Sequence, residues 1–368
     1  NPFQIIKGGT MKNEMDFYVG TYTRMGSDGI YHVNLDLQSG KMEKISVTGG
    51  VENPSFLAIN STNDRLYSVG EITEDGRKGS VSSFSIKDDG SLALLGREQT
   101  GGPGPCHLSV VPGDDSVIVT NYAGGSVCMF PVNNESGILQ KYSDFHQHEG
   151  SSVNKDRQEM PHAHSVTVDK NSKFAYVSDL GKDMIIVYEI DNKGRKLIER
   201  NDMNVVVDPG EGPRHFDFHP SLNYAYGINE IGSTISVYDY DRSTGVLTTS
   251  QKVSTLPESF GGSSTTADIH VSPDGLFVYG SNRGHDSIVI FSIDQSSGKI
   301  HYVGHESSRG ETPRNFAMTP SGDLLLVENQ DTGDIFSFYR DKTSGKLEFT
   351  GESISIPAPV CIKFLNGV

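Results

Sequence analysis

Apolar residues along this chain come in short runs, such as FAYVSDL, STISVYDYD and DSIVIFSID, separated by clusters of Gly, Asn, Asp, Ser and Pro. Runs of this length, alternating or continuously apolar and bounded by turn residues, predict β-strands. The pattern also repeats. NPSFLAINSTNDRLYSVGE from Asn53, GPCHLSVVPGDDSVIVTNY from Gly104, PHAHSVTVDKNSKFAYVSDL from Pro161, GPRHFDFHPSLNYAYGINE from Gly212, TADIHVSPDGLFVYGSNR from Thr266 and TPRNFAMTPSGDLLLVENQ from Thr312 can be set under one another. Each reads as strand, tight turn, strand. Each is followed by an apolar run, a turn such as RSTGVL, QSSGKI or KTSGKL, and a last strand.

The equivalent prolines Pro54, Pro105, Pro213 and Pro313 are 51, 108 and 100 residues apart, the two larger steps each spanning two repeats. A period of about 50 with four short strands per unit describes a propeller blade rather than a solenoid turn. Six full units run from Asn53, and the stretch before them, FYVGTYTRMGSDGIYHVNLDLQSGKMEKI, supplies only the last three strands of another. Its missing first strand is PVCIKFL, from Pro359. The expected fold is therefore all-β: a seven-bladed propeller of four-stranded blades. The C-terminal strand completes the N-terminal blade and hides two sheet edges. Residues 16–368 read as one domain and residues 1–15 as a tail or leader.

Composition narrows the function. Forty-one glycines suit many tight turns, and a formal net charge of −16 argues against a nucleic-acid partner or an anionic membrane surface. The N-terminal segment lacks an apolar run long enough for a signal peptide or membrane span. Three sparse cysteines, Cys106, Cys128 and Cys361, make no disulfide framework and point to the cytoplasm. A monomer or weak homo-oligomer is expected.

In a propeller the first strand of each blade lines the central channel, and the loops around the first and second strands gather at its mouths, where a rigid scaffold positions function. Before or at the first strands stand His107, His162 with His164, Arg214 with His215, Asp268 with His270, and Arg314 with Asn315. After the second strands stand Glu71, Asn121 with Tyr122, Asp179, Asn229 with Glu230, Asn282 with Arg283, and Asn329 with Gln330. The Asn and Asp residues have a simpler use as turn caps. His270 could be a satisfied buried histidine. The long loop FHQHEGSSVNKDRQEM adds Arg157 and Gln158, with His146 and His148 expected to be solvated. Substrate contacts are expected from Arg157, His107, His215, Arg314, Asn315 and Gln330. Cys106 beside His107 suggests a thiol–imidazole pair, but strand neighbours point apart.

FYVGTYT, RQEMPHAHSV, GEGPRHFDFHP, ADIHVSPDGLFVYGSNRG and ETPRNFAMTPSGDLLLVENQ resemble the lactonase family of seven-bladed propellers, from Asp16 to about Phe364. That family holds propeller-type 6-phosphogluconolactonases and carboxy-muconate cyclases. The resemblance implies an active site of one His, two Arg and one Glu, corresponding to His164, Arg214, Arg283 and Glu230. Hydrolysis of a lactone needs a base for the attacking water and donors for the oxyanion. Either His164 or Glu230 could be the base, with activity falling as His164 protonates in the ordinary histidine range. The arginines could hold a phosphate or carboxylate. Neither a metal nor a cofactor is expected, since no nearby Cys or carboxylate completes a ligand set with His162 and His164. The leading expectation is hydrolysis of a small anionic sugar lactone, 6-phosphogluconolactone first. The alternatives are a muconate-type lactone isomerase and a binding propeller without chemistry. Aligning PHAHS with the other repeats sets His164 beside His107 and His215, facing the channel, and His162 at a turn position.

Overall fold

Inner and outer strands bury their side chains differently, and that contrast describes the architecture. The second and third strands of a blade are buried on both faces, as in Ser116–Asn121, Phe174–Asp179 and Ser287–Ile293. Outer strands such as Leu92–Gln99 and Leu347–Ser355 mix half-buried with exposed residues. A strand covered on both faces needs a continuous apolar run, whereas a rim strand needs only one apolar face. The computed structural model describes residues 13–73 and 77–365, and their strands form seven sheets.

Blade 1 contains Pro359–Phe364, Glu14–Thr21, Ile30–Asp36 and Met42–Thr48, in that spatial order. Blades 2 to 7 begin with the inner strands Leu57–Ile59, Pro105–Val110, Ala163–Val168, Pro213–Phe218, Thr265–Val271 and Pro313–Met318. Blade 4 carries one extra short strand, Val205–Val206. Ring closure follows the expected pairing: Phe17 faces Phe364, Val19 faces Ile362 and Gly20 faces Cys361, all antiparallel. The strand starts two residues before the expected boundary, with Glu14 opposite Asp36. Most of the expected tail, residues 1–12, lies outside the described residues.

The core is a series of layers between blades. Ile118, Val127 and Met129 of blade 3 meet Val166, Val177 and Ile186 of blade 4. Phe17 and Val33 of blade 1 meet Leu326 and Ile335 of blade 7. Each large apolar side chain buried this way contributes roughly 1.5–3 kcal/mol. Tyrosines peg neighbouring blades together: the hydroxyls of Tyr18, Tyr176, Tyr226 and Tyr279 donate to the carbonyls of Gly90, Gly245, Gly298 and Gly345, at 2.6–3.0 Å. Gly298 shows why these turns need glycine. Its φ is +68°, and a Cβ there would lie 2.3 Å from the Tyr224 ring.

Two expectations about the long loop fail. His146 lies in the outer strand Asp144–Gln147, half-buried and 3.0 Å from Asp144. His148 is buried, its Nδ1 2.6 Å from Asp179 and its Nε2 3.0 Å from the Tyr188 hydroxyl. Those partners are 31 and 40 residues away, so no local pattern announces them. The remaining loop is held by Gln158, fully buried, which donates to the Leu180 carbonyl and accepts from the Asn154 amide.

Candidate active site

Two rings of side chains meet at one mouth of the channel. The first arises from a break in the ladder that recurs in the inner strands. In blade 4, Ala163 pairs with Asp179 and Ser165 with Ser178, which leaves His164 as the extra residue. Arg214, Cys106, Arg314 and Val360 occupy the same place in blades 5, 3, 7 and 1. Blade 6 has a longer break spanning Ala267 and Asp268. A bulged residue leaves the ladder, and the bend re-aims its side chain. The second ring is the residue at the end of each second strand: Tyr22, Glu71, Tyr122, Glu230, Arg283 and Gln330. The residue before it binds the scaffold instead. The amides of Asn121, Asn282 and Asn329 donate to the carbonyls of Thr100, Thr255 and Ser308, so these residues do act as turn and blade ties.

These rings enclose a cleft of about 310 Å³, lined by Arg24, Arg157, Arg283 and Arg314 with Glu71 and Glu230, and by His164, Tyr22, Tyr122, Cys106, Thr265 and Gln330. Four arginines against two glutamates make this mouth cationic on an acidic protein.

Glu230 is the hub of one side. Its carboxylate takes Arg214 Nε at 2.9 Å, Arg283 Nη2 at 3.0 Å and Arg157 Nη2. Burial raises the pKa of this carboxyl, but the charges of Arg283, Arg214 and Arg157 outweigh it and hold it well below the usual carboxylate range. Glu230 is thus ionised and a very weak base. Arg214 is buried, and its Nη1 also donates to the Ala267 carbonyl at 2.6 Å and to His215 Nε2 at 3.2 Å. Arg283 Nη2 donates to the Thr266 carbonyl, while its buried Nε has no partner among the described residues.

His164 Nε2 stands 3.9 Å from Glu230, too far for a strong hydrogen bond, so the expected orienting role for Glu230 is not seen. The Tyr122 and His215 rings pack on the imidazole edge-on instead. Burial, followed by the charges of Arg214, His215, Arg314 and Arg283, pushes its pKa well below the ordinary histidine value. It is therefore neutral at neutral pH and able to accept a proton. The Cys106 thiol donates to the His164 carbonyl at 3.1 Å, and burial drives its pKa far up, which removes it as a nucleophile.

The expected alignment of PHAHS is off by one residue. Ala163, not His162, matches Pro105 and Pro213, so His164 matches Cys106 and Arg214 rather than His107 and His215. His107 and Asn315 consequently sit one rung deeper and do not reach the cleft. His107 packs against the Phe56 ring at 4.0 Å and accepts from the Val166 amide. Asn315 donates to Asp268 and accepts from the Ile362 amide. His215 borders only a narrow pocket below the cleft, its Nδ1 donating to Asp268 at 2.7 Å. Arg157, Arg314 and Gln330 do line the cleft. His162 is structural: its amide donates to Asp179, its Nδ1 donates to the Tyr122 carbonyl, and its ring stacks on Tyr122 at 4.5 Å. His270 is half-buried and bonds Asp268 at 2.9 Å. Among the described residues no three His, Cys, Asp or Glu side chains converge as a metal site.

Tyr22 and Arg24 were missed. Both follow the second strand of blade 1, whose split between the two ends of the chain kept it out of the repeat alignment.

Fold and site together define a propeller with a cationic, imidazole-bearing mouth, and residues 16–364 match the model of the family described as Lactonase, 7-bladed beta-propeller. The chain belongs to that family. It is 37% identical over 352 residues to the 6-phosphogluconolactonase of Bacillus subtilis, covering 95% of this chain and 98% of the relative. A 6-phosphogluconolactonase of Formosa agariphila is 35% identical, over 82% of this chain and 85% of the relative. The structure of the periplasmic gluconolactonase of Pseudomonas aeruginosa is 30% identical with a TM-score of 0.90, covering 95% of this chain and 99% of that one.

Proposed function

We propose that the protein hydrolyses the lactone ring of 6-phosphogluconolactone. The observation that carries this reading is a neutral imidazole, His164, facing guanidinium donors in one cleft, beside a carboxylate too weakly basic to compete with it. In this reading His164 takes a proton from water as the water oxygen bonds to the lactone carbonyl carbon. Negative charge builds on the carbonyl oxygen, where the guanidinium of Arg283, which lines the cleft, and the adjacent Arg214 stabilise it. The ring C–O bond then breaks, and the departing oxygen takes the proton back from His164, leaving the open-chain acid. Glu230 holds the arginines in place. The relatives named 6-phosphogluconolactonase support this substrate class. The three cysteines are buried and unpaired, which favours a reducing compartment such as the cytoplasm.

The test is turnover of freshly made 6-phosphogluconolactone and of glucono-lactone, with a strong chelator present. Acceleration over spontaneous hydrolysis that survives the chelator is expected. No acceleration of either lactone would overturn the reading, and activity restored only by added zinc or calcium would overturn its metal-free chemistry.

A further inference from the structure

The five arginines around the cleft differ in what their N–H groups already do. Arg157, Arg214 and Arg283 all donate to Glu230, and Arg214 and Arg283 also donate to backbone carbonyls. Arg24 and Arg314 have no carboxylate within 4.0 Å among the described residues, and their guanidinium groups make no hydrogen bond there. Both instead lie against Tyr22, with Cζ 4.0 Å from the ring centre for Arg24 and 5.5 Å for Arg314. A cation–π contact spends no N–H donor, so the guanidinium donors of both side chains remain available to a ligand.

The ring between them is fixed. Tyr22 is buried, its hydroxyl donates to Glu71 Oε2 at 2.9 Å, and its amide donates to the Ala358 carbonyl at 3.2 Å. The same Glu71 oxygen accepts the Ser55 hydroxyl, so that carboxylate is engaged with the scaffold rather than with either arginine. Arg24 rides on the short 3-10 turn Thr23–Met25, whose Arg24 amide is held by Asn53 Oδ1 at 3.0 Å. Arg314 is aimed by the bulge in blade 7. Gln330 also lines the cleft, and its Oε1 has no hydrogen-bond partner among the described residues.

We propose that Arg24 and Arg314, free of carboxylate partners among the described residues and lying against Tyr22, form the anion subsite that holds the phosphate of the substrate, directing the lactone end toward His164. This rests on the lactonase reading above, and it places the anion contact on blades 1 and 7 rather than on Arg214 and Arg283. A phosphate offers several strong acceptor oxygens to paired guanidinium edges, which an uncharged hydroxymethyl group at the same position cannot replace.

The experiment separates this subsite from catalysis by measuring binding of the open-chain products, 6-phosphogluconate and gluconate, by titration calorimetry. Wild-type protein, Arg24→Gln and Arg314→Gln are compared, with thermal melts as folding controls. At least tenfold tighter binding of the phosphorylated acid is expected in wild type, and each variant should lose most of that preference. With the two lactones, the ratio of phosphorylated to unphosphorylated kcat/KM should fall by a similar factor, chiefly through KM. The proposal is overturned if wild type shows no preference for the phosphorylated acid. It is also overturned if the preference survives in both variants. Arg24 is exposed on its turn, so its variant keeps the test valid even if Arg314→Gln unfolds. Should neither lactone turn over while the binding preference holds, the hydrolase reading fails and the subsite stands.

Discussion

The two walls of the cleft treat charge in opposite ways. On the wall of blades 4 to 6, with Arg157 reaching over from its loop, one buried carboxylate binds three guanidinium groups. On the wall of blades 1, 2 and 7, Arg24 and Arg314 lie against Tyr22, and the Glu71 carboxylate accepts the Tyr22 and Ser55 hydroxyls. The first wall spends most of its guanidinium donors on its own carboxylate and on backbone carbonyls; the second keeps its donors unspent. The same two residue types, Arg and Glu, thus build a scaffold on one side and a binding surface on the other. The difference lies in which partners they meet, and residue type alone does not reveal it.

Several substitutions would break or sharpen this contrast. The largest effect is expected at the junction of the walls. His164→Ala should lower kcat about 10²–10⁴-fold with circular dichroism unchanged, as loss of a general base does. A near-normal rate would remove the imidazole from the chemistry. Next, Glu230→Gln leaves three arginines without their counter-charge, and should cost roughly 3–5 kcal/mol of stability in denaturant unfolding. Glu71→Gln keeps acceptors for Tyr22 and Ser55 and should cost less than about 1 kcal/mol. Equal losses would mean that the two walls are built alike. More modestly, Arg283→Ala should destabilise by about 1.5–3 kcal/mol through its hydrogen bonds to a charged partner, and Arg314→Ala by under about 1 kcal/mol through a lost cation–π contact. The smallest effect is in the pH profile. Because the arginines and burial depress the His164 pKa, the base form persists below the ordinary histidine value of about 6.5. Plots of kcat/KM should stay level from neutrality through that range and decline only at lower pH. A midpoint at the ordinary value would show that neither burial nor the arginine charges govern the imidazole.

How much of this was legible in the sequence follows from distance along the chain. The repeat reveals the blades and the closing strand because each strand–turn–strand unit is local. Arg283, Glu230 and Gln330 were legible for the same reason: each follows a recognisable Asn at the end of a strand. The inner strands misled by one residue because a bulge adds a position without disturbing the apolar alternation that sets alignment. His107 and Asn315 were therefore assigned to the cleft although they point below it, and Cys106 was set one place out of register with His164. His148 read as a solvated loop residue because Asp179 and Tyr188, which bury it, come from a different blade. The lowered pKa of His164 was illegible, since it depends first on burial in the assembled ring and then on arginines contributed by three further blades.

Closure of the ring carries a consequence for timing. The segment Glu14–Thr21 leaves the ribosome more than three hundred residues ahead of its partner Pro359–Phe364. Until that partner arrives, the strand edge beside Tyr22 is open and the amide of Tyr22 lacks the Ala358 carbonyl. The wall assigned to the phosphate thus waits on the meeting of two segments far apart in the chain. A chain cut short anywhere in blade 7 would retain His164, Glu230 and their arginines yet lack the surface that brings a substrate to them, so translation itself would act as the final switch on the catalyst.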